Sequence, residues 1–290
     1  MNENKSLPTQ NISKEGPKDK EVKNNNLTVS DCIKISGVLS KENNKLKIDC
    51  KNGFNADFYD AVFGEIFGIH IHTGRKEITD IGGEHTNVYK LSAEGLSYVV
   101  KLNYTGAEDT SSWIEKNVYN SLTETKKRHH SIHIPVIPKG IDPFEIPVVR
   151  FDEKGEKFIE QGKVRCLVME YYESFVYENK DDIRGALKIT ASILNDLSCF
   201  HNKGWIHRDI KSRNIVKKGS QYIIIDWESA VIRDTASDID NVTGTPYYAH
   251  PERYNKKDGK YIYEKSVDTD LYSVGIFLLE LISLCIHPLL

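Results

Sequence analysis

The sequence predicts an α+β protein of two lobes, in which a β-rich first half is joined to a helical second half by one buried strand. Runs rich in β-branched and aromatic residues dominate up to about residue 172, and the apolar residues after it recur mainly at helical spacing. The connecting run, residues 164–171, is apolar almost throughout, as expected of a strand buried on both faces. Two such layers meet at a cleft, and we expect the functional site there.

The composition is typical of a soluble globular protein. The 290 residues are 39% hydrophobic and 28% charged, and their 39 Lys and Arg against 42 Asp and Glu give a formal net charge of −3. This balance provides no global positive field, so no nucleic-acid partner is expected. The 5 cysteines share no metal-binding spacing and predict reduced thiols, which favours a cytoplasmic or nuclear location.

The chain before residue 78 divides into a tail and an extension. Residues 1–30 are too polar to bury a core and predict a disordered tail. Residues 31–77 predict an extension of unknown role, with a short hairpin that turns at residues 42–44. Within it, residues 54–71 predict a helix that packs on the segment that follows.

The first lobe, residues 78–172, is predicted to contain a hairpin and a helix. The β-rich runs at residues 87–91 and 96–102 are separated by a short polar connection. Carboxylate and hydroxyl side chains at residues 109–112 can cap a helix over residues 113–122.

The second lobe, residues 173–290, is predicted to be mainly helical. A helix follows Asp182 and ends at Gly204, because its apolar residues keep a helical period. Residues 271–290 are almost apolar enough to span a membrane, but Glu280 interrupts the run. A buried core helix and no membrane contact are therefore expected.

A group of polar residues follows the long helix of the second lobe. Residues 207–214 read HRDIKSRN, and Asp226 comes directly after a short strand. In phosphoryl transfer, a carboxylate such as that of Asp209 orients the attacking hydroxyl, and an ammonium such as that of Lys211 offsets charge on the γ-phosphate. Asn214 and Asp226 carry oxygen ligands that suit the hard cation Mg²⁺.

The run HRDIKSRN resembles the catalytic loop of eukaryotic protein kinases and matches its pattern in full. The resemblance implies a two-lobed protein-kinase-like fold, ATP as phosphoryl donor, Mg²⁺ as cofactor and a protein as substrate. It also extends upstream, where Lys101 resembles the lysine that holds the α- and β-phosphates. Glu115 in the next predicted helix lies where the ion-pair partner of that lysine is expected.

The resemblance further implies an adenine site built from apolar side chains and hinge backbone. Its members are the base-clamping residues Val88, Val99 and Val216, the gatekeeper Met169, and the hinge residues Glu170, Tyr171 and Tyr172.

Residues 244–252, which read GTPYYAHPE, are similar to the end of a kinase activation segment. The resemblance implies that Thr245 bonds Asp209 and Lys211, and that this threonine together with Lys211 marks a serine/threonine kinase. Asp270 matches the residue that begins a buried helix and holds the backbone of the catalytic loop.

The sequence departs from the family pattern at four points. In the glycine-rich loop only Gly83 is in register, and Glu84 adds negative charge near the expected triphosphate. The Asp-Phe-Gly signature reads DWE at residues 226–228, and the Ala-Pro-Glu signature reads HPE. The family continues beyond the helix at Asp270, so an incomplete lower lobe is expected, with self-association or a partner protein covering the last helix.

These features favour an ATP- and Mg²⁺-dependent serine/threonine protein kinase. Its predicted catalytic residues are Asp209, Lys211, Lys101, Glu115 and Thr245, and its predicted metal ligands are Asn214 and Asp226. The alternative is a pseudokinase, a binding or scaffold module with weak or no catalysis, which the irregular glycine-rich loop, Glu228 and the short lower lobe favour. A small-molecule phosphotransferase is a third class, for which the segment at residues 244–252 is not typical.

Overall fold

The computed structural model describes residues 33–36, 38–42, 45–49, 56–68, 76–82, 87–93, 95–106, 113–129, 131–138, 141–151, 158–177, 182–233, 243–254 and 265–286. Its helices are α1 (Ala56–Phe67), α2 (Ile114–Arg128), α3 (Ile183–His201) and α4 (Asp268–Ile286). Its strands are β1 (Ile33–Ser36), β2 (Val38–Glu42), β3 (Lys45–Asp49), β4 (Lys76–Asp80), β5 (Val88–Ala93), β6 (Leu96–Gly106), β7 (Phe144–Phe151), β8 (Phe158–Glu170), β9 (Glu173–Ser174), β10 (Trp205–Ile206), β11 (Ile215–Lys218), β12 (Gln221–Ile224) and β13 (Val231–Ile232). The predicted tail, Gly83 and Glu84 lie outside the described residues.

The upper lobe is built on one mixed sheet. Its strands lie in the order β1, β7, β8, β6, β5, β4, and every neighbouring pair is antiparallel except β1 and β7, which are parallel. The buried strand predicted at residues 164–171 is β8, which begins earlier, at Phe158. It is longer because it pairs with β7 along its first part and with β6 along its second. Its central place explains its continuous apolar composition.

The residues before 78 contribute both a strand and a cover to this sheet. β1 extends the sheet beside β7, and β2 pairs with β3 in the hairpin that the sequence predicts. The predicted helix is α1, which buries Phe58, Val62 and Phe63 in a core with Leu91 and Val100 of the sheet. The sheet and its packing therefore include residues from both sides of the predicted boundary at residue 78.

The opposite face of the sheet shares a second core with the lower lobe. That core joins sheet residues to α2, α3 and α4 through Val99, Leu167, Met169, Leu122, Ile193 and Phe277. Asp182 caps α3 as predicted, because its Oδ1 accepts a hydrogen bond from the N–H of Gly185 at 2.9 Å. The two lobes thus share one hydrophobic core at the junction where the cleft was expected.

Three helices differ from their predicted extent or surroundings, and one of them, α3, ends at His201 instead of the predicted Gly204. α2 continues beyond residue 122 to Arg128, and its basic last turn complements the negative end of the helix dipole. α4 buries Phe277 and Leu281 but leaves Leu279 62% exposed. By length and composition alone α4 could also cross a membrane, with 39% of its most apolar window buried. The expected absence of a membrane, and the expected partner or self-association, stay predictions.

Candidate active site

The predicted catalytic loop, residues 207–214, is anchored on the buried carboxylate of Asp270, at the start of α4. Its Oδ2 accepts hydrogen bonds from the N–H of His207 and from Nε2 of His201, both at 2.8 Å. Its Oδ1 accepts from the N–H of Arg208 at 2.8 Å. Burial raises the pKa of Asp270, but the hydrogen bond from His201 and the nearby His207 outweigh burial and hold the pKa below its usual value. The loop conformation is therefore tied to the first turn of α4.

The carboxylate of Asp209 lies at the centre of a hydrogen-bond network within this loop. Its Oδ1 accepts from Thr245 Oγ1 at 2.9 Å, and its Oδ2 accepts from Lys211 Nζ at 2.7 Å and from Asn214 Nδ2 at 3.1 Å. Lys211 Nζ also donates to Thr245 Oγ1 at 2.9 Å. The structure thus places three predicted site residues around the carboxylate of a fourth.

The segment that carries Thr245 packs closely against the catalytic loop. Gly244 has φ +96°, and a Cβ there would lie 2.4 Å from the carbonyl oxygen of Arg208, so only glycine fits this approach. The buried Arg253 donates to the same carbonyl at 3.0 Å and to the carbonyl of Thr243. Sequence reasoning missed Arg253, because no motif marks it.

Lys101 lies among three carboxylates. Its Nζ is 3.0 Å from Glu115 Oε2, as the predicted ion pair requires, and 2.6 Å from Asp226 Oδ1. It is also 3.2 Å from Glu228 Oε2, a contact that the sequence did not predict. β6, α2 and the turn after β12 therefore meet at one ammonium group.

The charges in this cluster shift one another's pKa values. Burial lowers the pKa of Lys101, but Asp226, Glu115 and Glu228 outweigh it and hold the pKa well above its usual value. Burial raises the pKa of Glu115 to about 7, against the opposing effect of Lys101. For Asp226, burial raises the pKa, but Lys101 outweighs burial and the net shift is downward.

The DWE segment turns sharply after β12. Asp226 has φ +65°, a left-handed conformation that is uncommon for residues other than glycine, and a short 3-10 turn, Trp227–Ser229, follows it. Trp227 is fully buried, with its ring centroid 4.5 Å from that of His207 and 5.0 Å from that of Phe200. The tryptophan ring therefore packs on His207, and Tyr119 belongs to the same core.

The sheet register places the predicted adenine-clamping residues of the upper lobe on one face. Val88 lies opposite Lys101, and Val99 lies opposite Met169. Since Val99 and Lys101 are two residues apart on β6, all four side chains share a face. Val216 lies on β11 in a separate sheet of the lower lobe, opposite Ile223.

The predicted hinge continues from the end of β8. The N–H of Glu170 donates to the carbonyl of Val136 at 3.0 Å, and the N–H of Val136 donates to the hydroxyl of Tyr172 at 2.8 Å. Glu170 Oε2 is 2.5 Å from Lys218 Nζ, so an ion pair links the hinge to β11. The exposed ring of Tyr171 lies 4.0 Å from Lys90 Nζ.

Comparison with known proteins identifies the family. Residues 148–287 match the family model of the protein kinase domain. This part of the chain belongs to the protein kinase family. It is 28% identical over 206 residues to the calcium-dependent protein kinase 5 of Plasmodium berghei, an alignment that covers 69% of this chain and 34% of the relative.

Two further comparisons concern a bacterial and a viral kinase. The chain is 32% identical over 145 residues to a serine/threonine-protein kinase of Myxococcus xanthus, covering 43% of this chain and 16% of the relative. The chain thus spans about a third or less of the length of these curated relatives. The solved structure of the Cydia pomonella granulovirus kinase superposes with a TM-score of 0.48 at 17% identity, covering 72% of this chain and 71% of that chain.

This kinase chain also contains a polar network that sequence reasoning missed. Tyr248 donates through its hydroxyl to Glu280 Oε2 at 2.5 Å, and Ser212 Oγ donates to Glu280 Oε1 at 3.3 Å. Ser273 Oγ donates to the carbonyl of Tyr248 at 2.8 Å. α4 therefore holds both the catalytic loop and the end of the activation segment. The available signal was Glu280, the one carboxylate in the apolar run that follows Asp270 in α4, since such a group needs polar partners.

The donor set of this kinase site fits a magnesium ion. Asn214 donates through Nδ2 both to the carbonyl of Asp209 at 2.8 Å and to its carboxylate, which leaves the amide oxygen of Asn214 to act as an acceptor. Asp226 supplies a carboxylate whose lowered pKa keeps it ionised. One carboxylate, one amide oxygen and substrate phosphates are the kind of ligand set that Mg²⁺ accepts.

Proposed function

We propose that this chain catalyses the transfer of a phosphoryl group from ATP to serine or threonine hydroxyls of protein substrates. The observation that carries the proposal is the network in which Lys211, Thr245 and Asn214 hold the carboxylate of Asp209. Phosphoryl transfer depends mainly on positioning and charge stabilisation, and this network fixes the group that would receive the substrate hydroxyl.

Each residue has a definite part in the proposed reaction. Asp209 orients the attacking hydroxyl and accepts its proton, and Lys211 places a positive charge beside the transferred group. Lys101, held by Glu115, binds the α- and β-phosphates. Asn214 and the carboxylate of Asp226 would hold Mg²⁺, which when bound neutralises charge on the phosphates.

The nucleotide base would lie against the apolar face of the upper sheet. Val88, Val99 and Met169 line this face beside Lys101, and the hinge backbone at residues 170–172 would supply hydrogen-bonding groups to adenine.

The reduced thiols predicted from the sequence remain the basis for a cytoplasmic or nuclear location; the described Cys166, Cys199 and Cys285 form no disulfide.

The test compares ATP turnover by the purified chain with that of Asp209→Asn, in Mg²⁺ and with a mixed peptide substrate. Turnover is expected to fall by about 10²-fold or more in the variant, because the proton acceptor is lost. Asp268→Asn, an exposed position on α4, serves as the matched control and should retain activity. Equal rates for the chain and Asp209→Asn would exclude the kinase proposal. Phosphotyrosine as the main product would contradict the serine/threonine assignment.

The second candidate is a pseudokinase that binds partners or nucleotide without catalysis. The observation that favours it is the contact between Glu228 and Lys101, because a carboxylate occupies a donor needed for phosphates. In that case nucleotide binding would persist without turnover, and Asp209→Asn would leave nucleotide affinity unchanged.

A further inference from the structure

Glu228 lies against the ammonium group that is expected to bind the nucleotide. Its Oε2 is 3.2 Å from Lys101 Nζ, beside Asp226 Oδ1 at 2.6 Å and Glu115 Oε2 at 3.0 Å. An ammonium group has three N–H donors, so three carboxylates can occupy all of them. A phosphate oxygen can then reach Lys101 only by displacing one of these carboxylates.

The turn that carries Glu228 is fixed on both sides. Before it, the side chain of Trp227 is fully buried and donates through Nε1 to the carbonyl of Ile224 at 3.3 Å. After it, the carbonyl of Ser229 accepts a hydrogen bond from Arg208 Nε at 2.6 Å. The contact with Lys101 therefore follows from an anchored backbone, because both neighbours of Glu228 are held by the catalytic loop or the core.

The formal charges in this cluster are strongly unbalanced. Lys101 contributes one positive charge, whereas Asp226, Glu228 and, when it is ionised, Glu115 contribute two to three negative charges. Nucleotide phosphates would add further negative charge to a site where the side chain of Lys101 is only 13% exposed and solvent screening is reduced. A divalent cation that accompanies the nucleotide would offset this repulsion.

The three carboxylates differ in how readily a phosphate could displace them from Lys101. The side chain of Glu115 is 5% exposed and is fixed on α2, and Asp226 is the expected metal ligand. The side chain of Glu228 is 31% exposed, close to the 35% of Asp226, but makes the longest of the three contacts with Lys101. Glu228 is therefore the carboxylate that a phosphate would displace first.

We propose that Glu228 competes with the nucleotide phosphates for Lys101, and that this internal competition sets both the nucleotide affinity and its dependence on divalent cations. The proposal rests on the proposed function, since it concerns ATP binding at the same site. Glu228 acts as an occupant of Lys101 in the nucleotide-free state and as a repulsive charge in the nucleotide-bound state.

The experiment measures ATP affinity by calorimetry on the full chain, once in EDTA and once in Mg²⁺. Glu228→Gln removes the charge and keeps the side-chain shape, and Glu228→Gly removes the side chain. We expect both variants to tighten ATP binding on the order of tenfold in EDTA, and by less in Mg²⁺, because the cation already offsets part of the repulsion. Circular dichroism checks that each variant is folded.

The matched control is Glu124→Gln, which removes an equal charge from an exposed position on the same helix as Glu115. It should leave ATP affinity unchanged in both buffers. If it tightened binding as much as Glu228→Gln, the effect would belong to net charge, and the proposal would be wrong.

The remaining outcomes separate this inference from the proposed function. An ATP affinity of Glu228→Gln within twofold of the unmodified chain in EDTA would overturn the competition while leaving the kinase proposal standing. Weaker binding of Glu228→Gln in Mg²⁺ would make Glu228 a metal ligand and would also overturn it. A complete lack of ATP binding by the unmodified chain and by both Glu228 variants, together with a lack of turnover, would remove the proposed function and this inference together.

Discussion

The carboxylate of Asp270 holds Arg208 in a left-handed backbone conformation. Asp270 Oδ1 accepts the N–H of Arg208 at 2.8 Å, and Arg208 has φ +70°. Such a conformation costs on the order of 1 kcal/mol for a residue other than glycine and persists only where its surroundings enforce it. The shape of the catalytic loop therefore depends on the first turn of α4, far along the chain.

Asp270→Asn is expected to destabilise the fold by about 3 kcal/mol or more. The fully buried carboxylate accepts three hydrogen bonds, and an amide would turn an N–H toward at least one of those donors. Denaturant unfolding measures the loss, with the exposed Asp268→Asn as control. A free energy of unfolding within 0.5 kcal/mol of the unmodified chain, about the range of a neutral surface change, would contradict this role.

Lys101→Met is expected to reduce phosphoryl transfer by about 10²-fold or more, since the phosphates lose their ammonium partner. We expect the chain to remain folded, because loss of Lys101 raises the pKa of the buried Glu115 further and this carboxyl can take up a proton. Turnover and circular dichroism measure the two effects. Lys127→Met, at an exposed lysine on α2, provides the control. Full activity in Lys101→Met would refute the assignment.

Trp227→Ala is expected to cost about 3–5 kcal/mol of stability, because a fully buried aromatic side chain leaves a cavity between His207 and Phe200. Trp227→Phe keeps most of that packing and should cost clearly less. Thermal or denaturant unfolding ranks the two variants. An equal loss for both would indicate that the indole hydrogen bond to Ile224, rather than ring packing, provides the stability.

Asp196 is expected to make stability fall as the pH rises from about 4 to about 6. Burial raises its pKa to about 6, against the opposing effect of His133, whereas an unfolded aspartate titrates near 4. In that interval the native state binds more protons than the unfolded state, so the free energy of unfolding decreases with increasing pH. Subtracting the pH profile of Asp196→Asn isolates this contribution. Parallel profiles of the two proteins would show that Asp196 titrates normally.

Phe63→Ala is expected to cost about 3–5 kcal/mol, because α1 covers one face of the main sheet with this side chain fully buried. Glu65→Ala, at an exposed position on the same helix, should change stability little. Denaturant unfolding of both variants decides the role of the extension. A neutral Phe63→Ala would mean that α1 is a detachable module.

The sequence by itself determined the parts of the site whose residues are close along the chain. Asp209, Lys211 and Asn214 belong to one short loop, and hydrogen bonds within that loop give their spacing its meaning. The spacing of hydrophobic residues along the sequence located α1, α3 and β8, because the face that a helix or strand buries is encoded locally. The Lys101–Glu115 pair was found through the pattern of a family, which already contains information about distant contacts.

Tertiary structure alone decided the distant contacts that no sequence motif carries. Three contacts join separate elements of the fold in this way. They are the ion pair of Glu228 with Lys101, the hydrogen bond from Arg253 to the carbonyl of Arg208, and the hydrogen bond from Tyr248 to Glu280. No periodic signal marks such pairs, since charge and hydrogen-bond complementarity act through space once hydrophobic packing has set the positions of the elements. For the same reason the sequence predicted that α1 packs on the following segment but could not specify which face of the sheet it covers.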